Sequence, residues 1–395
     1  SSLCVAFCVA SYPSGYSEAF SGAPHVQSGT QLRCAMGATA EPICLRDSLP
    51  LLQWLRRRAV RSLVEAIAPG QQLGLFHRHL DSTIWSFLKQ AVRVPRDFAR
   101  IGEALAGAPA WPPTTILVAP GTYKEELILT KPVTLIGNET GEQARLTAAG
   151  GSPASFQLEG PTTVSPRLKG FSIVSDAPCL LVDRGHACIT DCTVTSKQSS
   201  GVAVSGVGQV TLVNSTFTGN KKAAIAFKDS STGVIKHCCF KDNSHVAILG
   251  RQEARLEVVG NSLIHNRKTA IMFREKAVGM VRDNVLERNE GCGIELCEEA
   301  SPHVEANTLK GHTMPTIMVR GRSTARLSSN VIQANLGLGI MVCGSAKPEV
   351  VGNQLRDNRK RSSAAPAEQR RIDAQVRVLQ TSKKAEAASA ALEAV

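Results

Sequence analysis

A chain of 395 residues that is 43% hydrophobic but only 4% aromatic must build its core from Val, Ile, Leu and Ala, which favours stacked β structure over an aromatic-anchored sandwich. Its length lets it bury a sizeable core without metals or disulfides. The net charge of +12 is spread along the chain without a concentrated basic block, so no nucleic-acid partner is expected. No apolar run reaches the ~18 residues of a membrane helix, so no membrane partner is expected either. The twelve cysteines contain no C-x-x-C pair, which argues for reduced thiols in an intracellular, cytoplasmic or nuclear setting, with no metal and no cofactor.

Residues 1–45 are rich in Ser, Gly and Ala without periodicity and read as a disordered leader. From 46 to 110 the pattern turns helical. Leu51, Leu55 and Leu63, then Leu80, Ile84, Leu88 and Val92, then Phe98, Ile101 and Leu105 recur at spacings of three or four, or multiples of them. This segment is expected to be an α-helical region whose last helices cap the strands beyond residue 110, with Pro95 and Asp97 opening the final one.

At Trp111 the period changes to two, and short apolar strands alternate with turn residues. One register then fits successive segments: Asn261, Asn284, Asn307, Asn330 and Asn353 stand 23 residues apart. Two residues into each segment lies an apolar side chain, from Val194 and Phe217 to Ile332 and Leu355. Ten residues in lie Val202, Ile225, Ile248, Ile271, Ile294, Ile317 and Ile340. Twenty residues in lie Leu212, Ile235, Val258, Val281, Val304, Leu327 and Val350. Three apolar columns per period mean three strands per coil, each sending side chains into a shared interior. The fold class is all-β, a right-handed parallel β-helix of about ten coils over 111–358, extrapolated backwards through Phe171 with Leu181 and Phe156 with Leu158. Residues 359–395 read as a helical or disordered tail.

A polar column, Asn220, Asn243, Asn266, Asn289, His312, Asn335 and Asn358, reads as a structural ladder, because asparagine tolerates a left-handed backbone and bonds neighbouring main chain.

The repeated N-x-[aliphatic]-x-x-N and G-I-x-[V/L] halves, as in 284–289, 293–296 and 339–342, resemble the β-helix repeats of the pectin-lyase-like superfamily. The stretch 116–125 with 131–137 is similar to the first coil of F-box proteins that use a β-helix as substrate receptor. That resemblance implies a ubiquitin-ligase adaptor as partner and an adaptor-binding segment upstream, for which 48–52 and 84–85 are faint candidates.

For chemistry, one acidic column stands out: Asp229, Glu275 and Glu298, with Gln252 among them. Glu275 and Glu298 would sit one coil apart, roughly 5 Å, the separation of a retaining glycosidase pair. The cation column Lys228, Arg251, Arg274 and Arg320, one position earlier, equally explains them as ion pairs. No Gly-x-Ser-x-Gly elbow or phosphate-binding glycine loop accompanies them. The outward positions of the second strand, Leu249, Met272, Met318 and Met341 with Glu295 among them, predict an exposed stripe beside those cations. The leading functional reading is a non-catalytic module binding a protein or peptide on this stripe, the substrate-recognition part of an F-box-type ligase or a related scaffold. Replacing Met318 and Arg320 is expected to leave stability unchanged. The alternative is a carbohydrate-active enzyme, a lyase, hydrolase or pectinesterase-like protein acting on acidic polysaccharide.

Overall fold

The computed structural model describes residues 91–358 except 110–112, 139–140 and 159–163. All of these but Ala106–Ala108 lie in one compact unit. The leader, the tail, the candidate adaptor segments and the predicted helices before residue 91 fall outside the described residues.

The described chain is a parallel β-helix whose strands visit three sheets in turn. Sheet A has 12 strands, from Val92–Val94 to Glu349–Val351; sheet B has 11, from Thr122–Lys124 to Gln354–Arg356; sheet C has 10, from Leu127–Leu129 to Ile340–Val342. The three apolar columns are its interior. Val194, Phe217, Phe240, Leu263, Leu286, Leu309 and Ile332 line sheet B, the isoleucines line sheet C, and Leu212 to Leu327 line sheet A, all essentially buried. Phe217 and Phe240 stack at 4.9 Å. Strands this short are held because each pairs with the coil before and the coil after it.

The structure departs from the 23-residue register in the early coils. Ile173, not Phe171, pairs with Val194, and Leu180 pairs with Val202, leaving Leu181 outward. Val92, expected in a helix, lies in a strand that pairs in register with Ile116–Val118 and begins sheet A. The only described α-helix is α1 (Ile101–Gly107), beginning later than Pro95 and Asp97 suggested. Glu125 of the first coil caps it, accepting from the amides of Ile101 and Gly102 at 3.0 and 2.8 Å, where a carboxylate meets the positive end of the helix.

The asparagines act differently from the expectation. Left-handed backbone belongs to the residue before each one, such as Asp242, His265, Asp283, Ala306 and Ser329, while the asparagine side chain turns inward. At the corner between sheets A and B, Nδ2 of Asn261, Asn284, Asn307 and Asn330 donates to Oδ1 of the asparagine one coil on, at 2.8–3.0 Å. Each also donates to a main-chain carbonyl of the coil behind, as Asn284 does to Val258 at 2.8 Å. A second ladder at the corner between sheets B and C runs Asn220, Asn243, Asn266, Asn289. His312 interrupts it before Asn335 and Asn358. Its Nε2 bonds the carbonyl of Leu286 at 3.2 Å, and its buried Nδ1 has no partner.

These ladders have two measurable consequences. Asn266→Ala removes the acceptor of Asn243 and two buried donors, so urea unfolding should show a loss of roughly 2–4 kcal/mol. Burial pushes the His312 imidazole down to about 4 from 6.5, so the unfolded chain takes the proton first. Its contribution is complete above pH 6.5 and is lost as pH falls towards 4, on the order of 3 kcal/mol. His312→Asn should abolish that share of the acid sensitivity, and equal acid-induced losses in both proteins would contradict this account.

Candidate functional site

Parallel pairing aligns the outward middle residues of sheet C into one column. Ala203, Ala226, Leu249, Met272, Glu295, Met318 and Met341 pair in direct succession. The apolar members are half-buried rather than exposed, because neighbours about 4.8 Å away cover one another.

Along the corner between sheets C and A run Lys228, Arg251, Arg274 and Arg320, then the acidic column. The structure makes that column a ladder of turns. Asp229, Gln252, Glu275 and Glu298 all have positive φ, between 57° and 62°. Asp229 accepts from the amide of Gly206 at 2.9 Å, and Gln252 from that of Asp229 at 2.9 Å. Glu275 takes two bonds from Arg251, at 3.1 and 3.2 Å, and Glu298 one from Arg274 at 2.9 Å. The Arg274 bond holds the Glu298 carboxyl below the usual carboxylate range. A retaining glycosidase needs one protonated acid of the two, and the Arg274 bond favours the ionised form of Glu298. Glu275 and Glu298 do line a shallow recess with Lys276, Glu299, Gly321 and Arg322, in which Arg322 bonds Glu299.

Glu295 corrects the stripe at its centre. Only 8% of it is exposed, and Arg320 binds its Oε1 through Nε at 3.1 Å and Nη2 at 2.9 Å, while Thr269 donates to Oε2 at 3.1 Å. Arg320 is therefore the partner of a buried charge rather than a free contact cation. Burial first and the Glu295 charge second push the Cys292 thiol up to about 12 and that of Cys297 to about 11. All eight cysteines in the described residues are free, and those residues hold no metal-ligand cluster.

The sequence pattern also holds a signal at the corner between sheets B and C, where columns of like residues do not reveal it. There Lys221-Lys222 and Arg267-Lys268 occupy the same two repeat positions two coils apart, with Ser244-His245 between them. All but the half-buried Ser244 are exposed, and none of the four cations has an acidic partner among the described residues. The recurrence of a dibasic pair after twice the repeat length is the mark that distinguishes them. On sheet A, His186 lies between the hydroxyls of Ser165 and Thr211, at 2.9 and 2.8 Å, and burial with the Arg167 charge keeps it below its ordinary range. No carboxylate orients that ring, so it is a satisfied face residue.

The family model described as "Right handed beta helix region" matches residues 178–324 and 259–373. The chain carries right-handed β-helix repeats. No curated protein matches the sequence. Solved structures similar to the β-helix include the A-modules of two mannuronan C-5 epimerases of Azotobacter vinelandii. AlgE4 is 12% identical, with 72% of this chain and 98% of that chain covered at a TM-score of 0.45; AlgE6 is 13% identical, with 70% and 96% covered at 0.46. A periplasmic alginate epimerase is 12% identical, with 77% and 98% covered at 0.44. None of these likenesses is to an F-box protein, and at such identities they concern the fold alone.

The two kinds of ion pair predict different costs. Glu298→Gln should shift unfolding by less than about 1 kcal/mol, because both partners of that pair are exposed to solvent, Glu298 far more than the buried Glu295. Arg320→Ser strands a buried carboxylate and should cost roughly 1–3 kcal/mol, contrary to the expectation from an exposed position. Chemical denaturation of the two variants decides between these assignments.

Proposed function

We propose that the β-helix binds an extended acidic polysaccharide laid along its coils on the outer face of sheet C. The carrying observation is the column from Ala226 to Met341, half-buried except at Glu295, with a basic corner on one side and a corner of cations and paired acids on the other. One border holds Lys221, Lys222, Arg267 and Lys268, the other Lys228 and Lys276 beside Arg251 and Arg274, which are paired with Glu275 and Glu298. The spacing argues for a sugar polymer. Coils repeat at about 4.8 Å, whereas same-side residues of an extended peptide repeat at roughly 6.6 Å and drift out of step. A 1,4-linked pyranose advances by close to one coil per sugar. The reading is of binding: Glu275 and Glu298 are committed to arginines, so no hydrolytic step is assigned to them.

A second reading, an acidic peptide anchored on the methionines, draws on Met272, Met318 and Met341, whose flexible thioethers adapt to varied partners. An adaptor contact has no described residues to rest on.

Affinity electrophoresis through gels holding polyglucuronate or neutral dextran tests the proposal. Retardation by the acidic gel alone, weakened as salt rises, is the expected result, since exposed charges are screened within about 10 Å at 0.1 M salt. Unaltered mobility in the acidic gel would overturn it. Capture of acidic peptides lost in Met272→Ser with Met318→Ser would put the second reading in its place.

A further inference from the structure

The four unpaired cations have a spacing that says more than their charge. Lys221-Lys222 and Arg267-Lys268 sit on corner turns that stack directly. The amide of Ser244 donates to the carbonyl of Asn220 and that of Arg267 to the carbonyl of Asn243, both at 2.9 Å. The two dibasic pairs are thus held two coils, or about 10 Å, apart on a rigid corner. In the coil before, the amide of Lys221 donates to the carbonyl of Ser196, so Lys197 and Gln198 stack beneath Lys221-Lys222; the coil after Arg267-Lys268 carries Glu290-Gly291, which closes the strip with an acid.

Resting on the polysaccharide reading above, we propose that this strip selects uronate chains whose carboxylates face one side at every second sugar. That is the geometry of a 1,4-linked chain with both linkage bonds equatorial. Each ring is turned about half a revolution from the last, so like faces recur after two sugars, which matches two coils. In a chain with both linkage bonds axial the rings buckle and shorten the advance, and carboxylates fall out of register with the second pair. Two nitrogens per pair then grip one carboxylate each time, while the Ser244-His245 coil faces the sugar turned away. Arg267 adds a planar fork that binds a carboxylate through two parallel bonds.

The test uses the whole chain and two polymers with one carboxylate per sugar, β-1,4-glucuronan with equatorial linkages and α-1,4-galacturonan with axial ones, in titration calorimetry at fixed salt. The expected result is at least fivefold tighter binding of the glucuronan. Lys221→Ala with Lys222→Ala, and separately Arg267→Ala with Lys268→Ala, should each erase that preference. Lys169→Ala with Lys236→Ala on sheet A removes the same charge and should keep it. Equal affinity for both polymers, or a preference that survives both dibasic variants, overturns the inference while leaving acidic-polysaccharide binding standing. Failure of the wild type to bind either polymer overturns both.

Discussion

Everything in this molecule depends on the parallel ladder between coils. Because each strand pairs with the same strand of the next coil, whatever occupies a repeat position is stacked on its own kind at about 4.8 Å. For an isoleucine that is packing without cost. For an asparagine it supplies the donor and acceptor that a buried amide needs. For a charge it brings repulsion, so every charged column must be broken, paired or wet. The chemistry of the surface is the set of answers to that constraint.

Most of the fold is legible because stacking writes a fixed period into the sequence, and the interior columns recur without interruption from Val194 to Ile332. Where coils change length the period fails: it places Leu181 inside, when Leu180 and Val182 are. Val92 escapes the pattern for a different reason. A three-residue strand with one apolar residue on each side of Arg93 carries too little pattern to compete with the helical spacing of its neighbours, and only its pairing with Ile116–Val118 defines it. The asparagine columns are visible in the sequence, but their physical reason is not. Position alone does not tell a residue in a left-handed turn from the next one, whose buried amide rewards that turn with hydrogen bonds along the stack. Strain of roughly 1–2 kcal/mol at residues such as Ala306 and Ala334 is offset by those bonds.

The site is legible in part. Outward columns follow from alternation, so the methionine stripe and the arginines beside it emerge as columns. What alternation does not give is depth. Glu295 stands at an outward position, yet Arg320, Thr269 and the flanking methionine positions close over it. An acid in the middle of an apolar stripe is the sign of a buried pair.

The uncompensated strip gains its meaning from the same constraint. Elsewhere many charges are cancelled between neighbouring coils: Lys236 by Glu257, Arg251 by Glu275, Arg274 by Glu298, Lys310 by Glu287, Arg326 by Glu349. Two like charges stacked one coil apart repel by about 0.8 kcal/mol in water, and two coils apart by about 0.4 kcal/mol. At the corner between sheets B and C the two dibasic pairs take the second option, skipping a coil rather than supplying an acid. Acids serve at other corners, so a stable fold did not require bare cations here. Skipping a coil halves the repulsion and leaves the positive charge free, and that arrangement gains nothing for folding. A ligand carrying negative charge at the same interval is what it suits.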